Sequence, residues 1–187
     1  METERIRVTD DEPLRRRRLA VLFRLLLVIP PYVVLAAWTV VALGLVVLAW
    51  LALLVTGRLP RWLHRYLSAY VRFTGQVTAW LFLLSGTYPN PFRIRAHPFQ
   101  VLLPEAGRQP RLVTLLRAVL AIPALVLAGA LRVVLMLSSI PAWFTGLVLG
   151  RTTAGLNELG TFCLRYELEA VGYVLLLSAR YPRLAPG

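Results

Sequence analysis

The chain repeats itself at a fixed offset of 93 residues, and that duplication limits its architecture more than any local signal. Arg18-Leu19 returns as Arg111-Leu112, Arg24 as Arg117, and Ile29-Pro30 as Ile122-Pro123. Trp50 returns as Trp143, Gly57-Arg58 as Gly150-Arg151, Arg72 as Arg165 and Ser85 as Ser178. Tyr88-Pro89 closes the first copy and Tyr181-Pro182 the second, with no gap needed between residues 18 and 89. A repeat on this scale implies one structural unit built twice.

Each copy holds the same three parts. The first is a short basic-apolar helix, 15–29 and 108–122, ending at Pro30-Pro31 and Pro123, where proline breaks the hydrogen-bond ladder. Its arginines suit the lipid head-group layer, with their stems snorkelling. The second is an apolar stretch, 31–56 and 124–150. The former carries no charge and the latter only Arg132. At 1.5 Å per residue such a helix reaches roughly 39 Å, long enough to cross a bilayer with tilt. Trp38, Trp50 and Trp143 fit interfacial placements or helix packing. Gly57 and Gly150 stand where a helix ends in a left-handed residue, and Arg58 and Arg151 follow at the negative end of the macrodipole. The third part is a mixed helix, 60–85 and 153–178. Pro60 is acceptable in its first turn. Trp62, Tyr66, Tyr70, Phe73, Val77 and Trp80 share one face at helical spacing.

The apolar fraction of 58 % and mean hydropathy of +0.66 place the chain among membrane proteins. The apolar run beginning near Arg18 continues to Thr56, too long for a cleaved secretion signal, so a retained anchor is expected. The predicted organisation is a flexible cytoplasmic tail (1–14), a first membrane repeat (15–92), a surface linker (93–107), a second repeat (108–183) and a short tail (184–187). The predicted fold is all-α: an integral membrane bundle of two tandem parallel repeats, with about four transmembrane helices and two interfacial ones.

The net charge of +12 comes from 21 basic residues, every one an arginine. They cluster at the edges of apolar segments, which favours anionic lipid over nucleic acid. With spans near 31–56, 62–85, 124–150 and 158–179, fourteen arginines fall on the side of the tail, linker and C-terminus, and four on the other. That bias puts both termini and the linker in the cytoplasm and relates the repeats by an axis along the membrane normal. A competing arrangement has one span per copy, with the third part in the interface. It gives inverted repeats with the linker outside.

Carboxylates are scarce. None lies between Pro13 and Pro104, and only Glu158, Glu167 and Glu169 lie near membrane depth. Ionisable groups there are costly and usually paired. Arg165 and Glu169, four apart, would share a helix face. Arg72 has no carboxylate in its own half, so a pair with Glu167 or Glu169 across the copies is one expectation and snorkelling to head groups the other. His64 and His97 lack companions at metal-ligand spacing, and the only aspartates, Asp10 and Asp11, lie in the tail. No phosphate loop is present, and Cys163, the single cysteine, reads as a small buried apolar side chain. No catalytic set, cofactor site or metal site is therefore expected.

The stretch Leu54-Val55-Thr56-Gly57-Arg58-Leu59-Pro60-Arg61 resembles the apolar-Thr-Gly-Arg-Tyr-Pro-Arg signature of a bacterial membrane family, domain of unknown function 4389. The stretch from Ala79 to Phe92, with Ser85 and Tyr88-Pro89-Asn90-Pro91-Phe92, is similar to that family's Ala-Tyr, Leu-Leu-Thr-Asp and Tyr-Pro-Pro-Phe elements. The entry from Arg24 to Pro30 also looks alike. The second copy keeps Gly150-Arg151 and Tyr181-Pro182 but has Thr153 in place of the proline, as a diverged copy would. Leu59 replaces the usual tyrosine and Gly86 the usual aspartate. The resemblance implies a bacterial cytoplasmic membrane protein and supplies no activity. The function expected from the sequence is a non-catalytic protein associating with anionic lipid, with copies of itself or with a membrane partner, and not with nucleic acid. The alternative is a small transporter or channel subunit with a buried Arg/Glu site between the repeats.

Overall fold

The computed structural model describes residues 7–10, 21, 23–104 and 111–183. Residues 1–6, 11–20, 22, 105–110 and 184–187 fall outside them. These take in most of the expected N-terminal tail, the beginnings of both basic-apolar segments, the end of the linker and the short C-terminal tail. The chain is mostly helical. A strand β1 (Arg7–Asp10) precedes a one-turn helix α1 (Arg24–Leu27), the long α2 (Ile29–Thr56) and α3 (Arg61–Leu81). A 3-10 turn (Ile94–Ala96), strand β2 (Phe99–Leu102), the long α4 (Arg111–Val148) and α5 (Ala154–Val174) complete it.

The prolines do not divide the first helix from the second as the sequence suggests. Pro30 and Pro31 occupy the first turn of α2, where the missing N–H has no ladder partner to lose. Pro123 and Pro141 lie inside α4, each at the loss of one ladder bond, and the helix continues through both. The outcome is two overlong apolar helices. Residues Arg24–Thr56 have a mean hydropathy of 2.6 and Val113–Val148 of 2.4, so both are long and apolar enough to cross a membrane.

Each copy is a helical hairpin. In the first, Trp38 of α2 packs on Tyr66, Tyr70 and Phe73 of α3, with ring centroids 5.9, 6.3 and 5.7 Å apart. The corresponding seam of the second copy is narrower, built on Ala124, Ala128 and Ala170 around Tyr166. Glycine ends both long helices as expected, with Gly57 at φ 68° and Gly150 at φ 67°. Pro60 and Thr153 then take the same extended backbone before α3 and α5, ψ 137° and 146°, so the missing proline leaves the entry unchanged.

The two hairpins are related by a pseudo-two-fold axis perpendicular to the helices. Trp50 Nε1 donates to the Thr114 carbonyl at 3.1 Å, and Trp143 Nε1 to the Val21 carbonyl at 3.2 Å. Val21 and Thr114 are themselves 93 residues apart, so each copy gives the other the same bond. The end of α2 therefore meets the start of α4, and the end of α4 the start of α2. The long helices run antiparallel, where the arginine count predicts parallel ones. In the second layer Gly75 of α3 faces its own counterpart, Leu168 of α5, at the axis.

The linker is not a simple surface tether. It doubles back along α3 from Gln76 to His64. Gln76 Nε2 donates to the Ile94 carbonyl at 2.7 Å, Arg72 Nε to the Val101 carbonyl at 3.1 Å, and His64 Nε2 meets the Pro104 carbonyl at 3.0 Å. Phe99 and Val101 are buried against α3, while β2 pairs antiparallel with β1, Arg7 opposite Leu102 and Asp10 opposite Phe99. Part of the tail expected to be flexible is thereby a strand. β2 lies on α3 and β1 on α5. The result is three layers: α2 with α4, then α3 with α5, then the strand pair. The main core sits between the first two, on residues such as Leu53, Leu63, Leu67, Leu135, Leu164 and Leu168.

Candidate functional site

The repeated sequence motifs build a clasp that appears once in each copy. Arg24 is buried, its guanidinium 4.6 Å from the Trp80 ring centroid, and its Nη2 donates to the Ser85 carbonyl at 3.1 Å. Arg117 is equally buried, 4.6 Å from the Tyr173 ring, with Nη1 donating to the Tyr173 carbonyl at 3.0 Å. The motif tyrosines close the stack edge-on: Tyr88 on Trp80 at 5.3 Å and Tyr181 on Tyr173 at 5.6 Å. Tyr88 also donates its hydroxyl to the Leu27 carbonyl at 3.2 Å, and Pro89 and Pro182 are buried beside the tyrosines.

The helix ends beneath the clasps are built alike. Leu84 N donates to the Ala79 carbonyl and Leu83 N to the Trp80 carbonyl. Leu177 N to Gly172 and Leu176 N to Tyr173 repeat the pattern. These are Schellman closures whose left-handed residue is leucine: Leu83 at φ 62° and Leu176 at φ 63°. Ser85 Oγ then accepts from Thr87 N, and Ser178 Oγ from Arg180 N, both at 3.2 Å. Thus Tyr88, Pro89, Tyr181 and Pro182 hold the fold, and chemistry at these positions is not needed to account for them. Arg58 and Arg151 are exposed beyond Gly57 and Gly150.

Of the candidate ion-pair residues, Arg72 is placed differently from the expectation of a pair across the copies. Glu167 of α5 pairs with Arg132 of α4, within the second copy. Burial pushes the Glu167 carboxyl above its ordinary value, and Arg132 only partly offsets this. Arg132 also lies 5.9 Å from the Phe82 ring of the first copy. Arg72 joins neither glutamate. Its Nε is held by the Val101 carbonyl, and burial together with the Arg95 guanidinium lowers its pKa. Arg165 stacks over Phe162 at 5.6 Å, and Glu169 Oε2 accepts from the Arg183 backbone N at 3.4 Å. An Arg/Glu site between the repeats, as the transport alternative requires, is therefore not assembled from Arg72. Sequence reasoning missed Arg132 as the partner because the seam of α4 and α5 joins residues 35 apart.

Among the described residues no cluster of three metal-ligating side chains occurs. Cys163 is buried, as expected, and burial raises its thiol pKa. The outward faces of α2 and α4 expose Val33, Val40, Leu48, Val126, Leu137 and Phe144. They lie in one layer, and the polar linker and strand pair lie on the opposite side of α3 and α5.

A family model described as Domain of unknown function (DUF4389) matches residues 18–93 and again 111–184. No curated protein and no solved structure matches the chain.

Proposed function

The chain belongs to the DUF4389 family, in two tandem copies, and on that premise we propose that it is a non-catalytic membrane protein lying flat in one leaflet. In this reading α2 and α4 are sunk among the acyl chains, and α3, α5 and the strand pair face the water. The leaflet is the cytoplasmic one of a bacterial inner membrane, where anionic lipid meets the arginine excess. Both termini and the linker then lie on the cytoplasmic side.

The observation that carries this reading is the path of the linker. Arg93, Arg95 and Gln100 lie on a segment that runs along α3 from Gln76 to His64. Were the helices upright, that irregular polar backbone would cross the bilayer core with them, a costly arrangement without water. Laid flat, it stays wet throughout. Helix length supports the same orientation. At 1.5 Å per residue α4 reaches about 57 Å, nearly twice the ~30 Å hydrocarbon core. The pseudo-two-fold axis runs from the strand layer to the apolar layer. In the flat orientation it coincides with the membrane normal, and both copies meet lipid at the same depth.

Cysteine labelling tests the orientation. On a Cys163→Ala background, Arg58→Cys and Thr87→Cys mark opposite ends of the first hairpin. Both are expected to react with an impermeant maleimide in inside-out vesicles and neither in intact spheroplasts. Labelling of the two from opposite sides would show an upright bundle. Recovery of the chain in buffer without detergent, as a self-associated particle, would assign the apolar layer to copies of itself.

A further inference from the structure

The first half of α3 carries a basic stripe that the fold does not require. Arg61, Arg65, Ser68 and Arg72 lie on one helical face, four, three and four residues apart. The returning linker brings Arg93 and Arg95 against them, enclosing an open groove of about 950 Å³. Among the described residues, five guanidinium groups and no carboxylate line it. Arg61, Arg65, Arg93 and Arg95 are exposed, and Arg72 is half-buried with Nε fixed on the Val101 carbonyl. On the floor, a carbonyl can only accept, so His64 Nε2–H donates to Pro104 O. That leaves Nδ1 facing the buried Ser68 hydroxyl at 3.4 Å.

The second copy serves as an internal control. At the positions equivalent to Arg61, His64, Arg65 and Ser68 it has Ala154, Asn157, Glu158 and Thr161, yet α5 forms the same 21-residue helix. The charge is thus not there to make the helix. Bringing five like charges together costs free energy, and a bound anion would recover it. Phe92, 94 % exposed on the rim, sets a large apolar side chain beside the cations, as at a head-group boundary.

We propose that this groove binds a doubly charged phosphoryl group, either the phosphomonoester head of an acidic lipid or a free phosphate compound. Arginine forks match the oxygens of such a group in pairs. Two negative charges on one centre suit several converging guanidinium groups better than the single charge of a carboxylate. The groove would take this group whether or not α2 and α4 lie in lipid.

The test uses the full chain in detergent micelles, titrated calorimetrically with pyrophosphate. In parallel, the chain is floated with phosphatidylcholine vesicles with and without phosphatidic acid. The groove variant is Arg65→Gln/Arg93→Gln/Arg95→Gln, all at exposed positions. The control, Arg58→Gln/Arg151→Gln/Arg180→Gln, removes the same charge elsewhere. Both variants are checked for unchanged helical circular dichroism. Binding that weakens at least about tenfold in the groove variant and stays within about twofold in the control supports the site. If pyrophosphate binds, free phosphate compounds enter. If only phosphatidic acid vesicles bind, the ligand is the lipid head. Absence of binding in both arms, equal loss in groove and control variants, or equally good competition by polyglutamate overturns the proposal.

Discussion

The Trp50 indole donates to the Thr114 carbonyl across the boundary between the copies, and Trp143 returns the same bond to Val21. These two contacts tie opposite ends of the antiparallel long helices. Trp50→Phe keeps a large ring and removes the donor to the Thr114 carbonyl. The expected loss is about 1 kcal/mol. Trp143→Phe should cost the same, and the double variant close to the sum, since the bonds sit at opposite ends of the molecule. Thermal unfolding in detergent checks all three.

The arginine clasps should tolerate lysine poorly. Arg117 stacks on Tyr173 and bonds its carbonyl at once, which uses the planar guanidinium. Arg117→Lys keeps the charge, buries it with less satisfactory partners, and is expected to cost about 2–3 kcal/mol. Arg24→Lys should behave alike. A midpoint of thermal unfolding unchanged in either variant would remove the clasp from the account of stability.

The Arg132–Glu167 pair should respond unequally to the loss of its two members. Burial raises the Glu167 carboxyl above its unfolded value despite Arg132. The folded state therefore holds the proton more tightly. Stability from this group is present below the unfolded carboxyl pKa and lost as pH rises through the raised folded value. Glu167→Gln should abolish that loss, flattening the stability profile in mildly acidic solution. Arg132→Ala leaves the carboxylate uncompensated, raises its pKa further and is expected to destabilise by about 1–3 kcal/mol at neutral pH. Unfolding followed from acidic to neutral pH distinguishes the two.

Leu83 and Leu176 test whether strain or burial governs the helix ends. A left-handed leucine costs about 1–2 kcal/mol, which glycine would relieve. Both side chains are nearly fully buried, and truncating a buried leucine costs about 2–5 kcal/mol. Burial should win, so Leu83→Gly and Leu176→Gly are each expected to destabilise by about 1–3 kcal/mol by the same two magnitudes. A gain in the unfolding midpoint would reverse that ranking.

What the sequence made legible was local or periodic. The offset between copies, the glycine closures at Gly57 and Gly150, and the face of α3 carrying Tyr66, Tyr70 and Phe73 all depend on near neighbours. Pro30 and Pro31 misled because in a first turn the missing N–H has no partner to lose, and Pro123 misled because α4 runs through it at the loss of one ladder bond. The strand pair joins residues some ninety apart. Its one signal, the buried Phe99 and Val101 alternating with Gln100 and Leu102, is too short to outweigh the prolines around it. Charge counting predicted parallel long helices because it assumed that α3 and α5 cross the bilayer, whereas the competing arrangement, with one span per copy, had the repeats inverted, as the antiparallel long helices are. The basic groove was visible as residues but not as a place, since Arg93 and Arg95 meet Arg61 and Arg65 only after the linker doubles back.

The reciprocal tryptophan bonds have a genealogical corollary. Each copy carries both the donor and the acceptor of the contact, so a polypeptide with a single copy could complete it only by meeting an identical twin. The fused chain is in that sense a tethered homodimer, and the tether lets one half carry Arg61 and Arg65 where the other has Ala154 and Glu158.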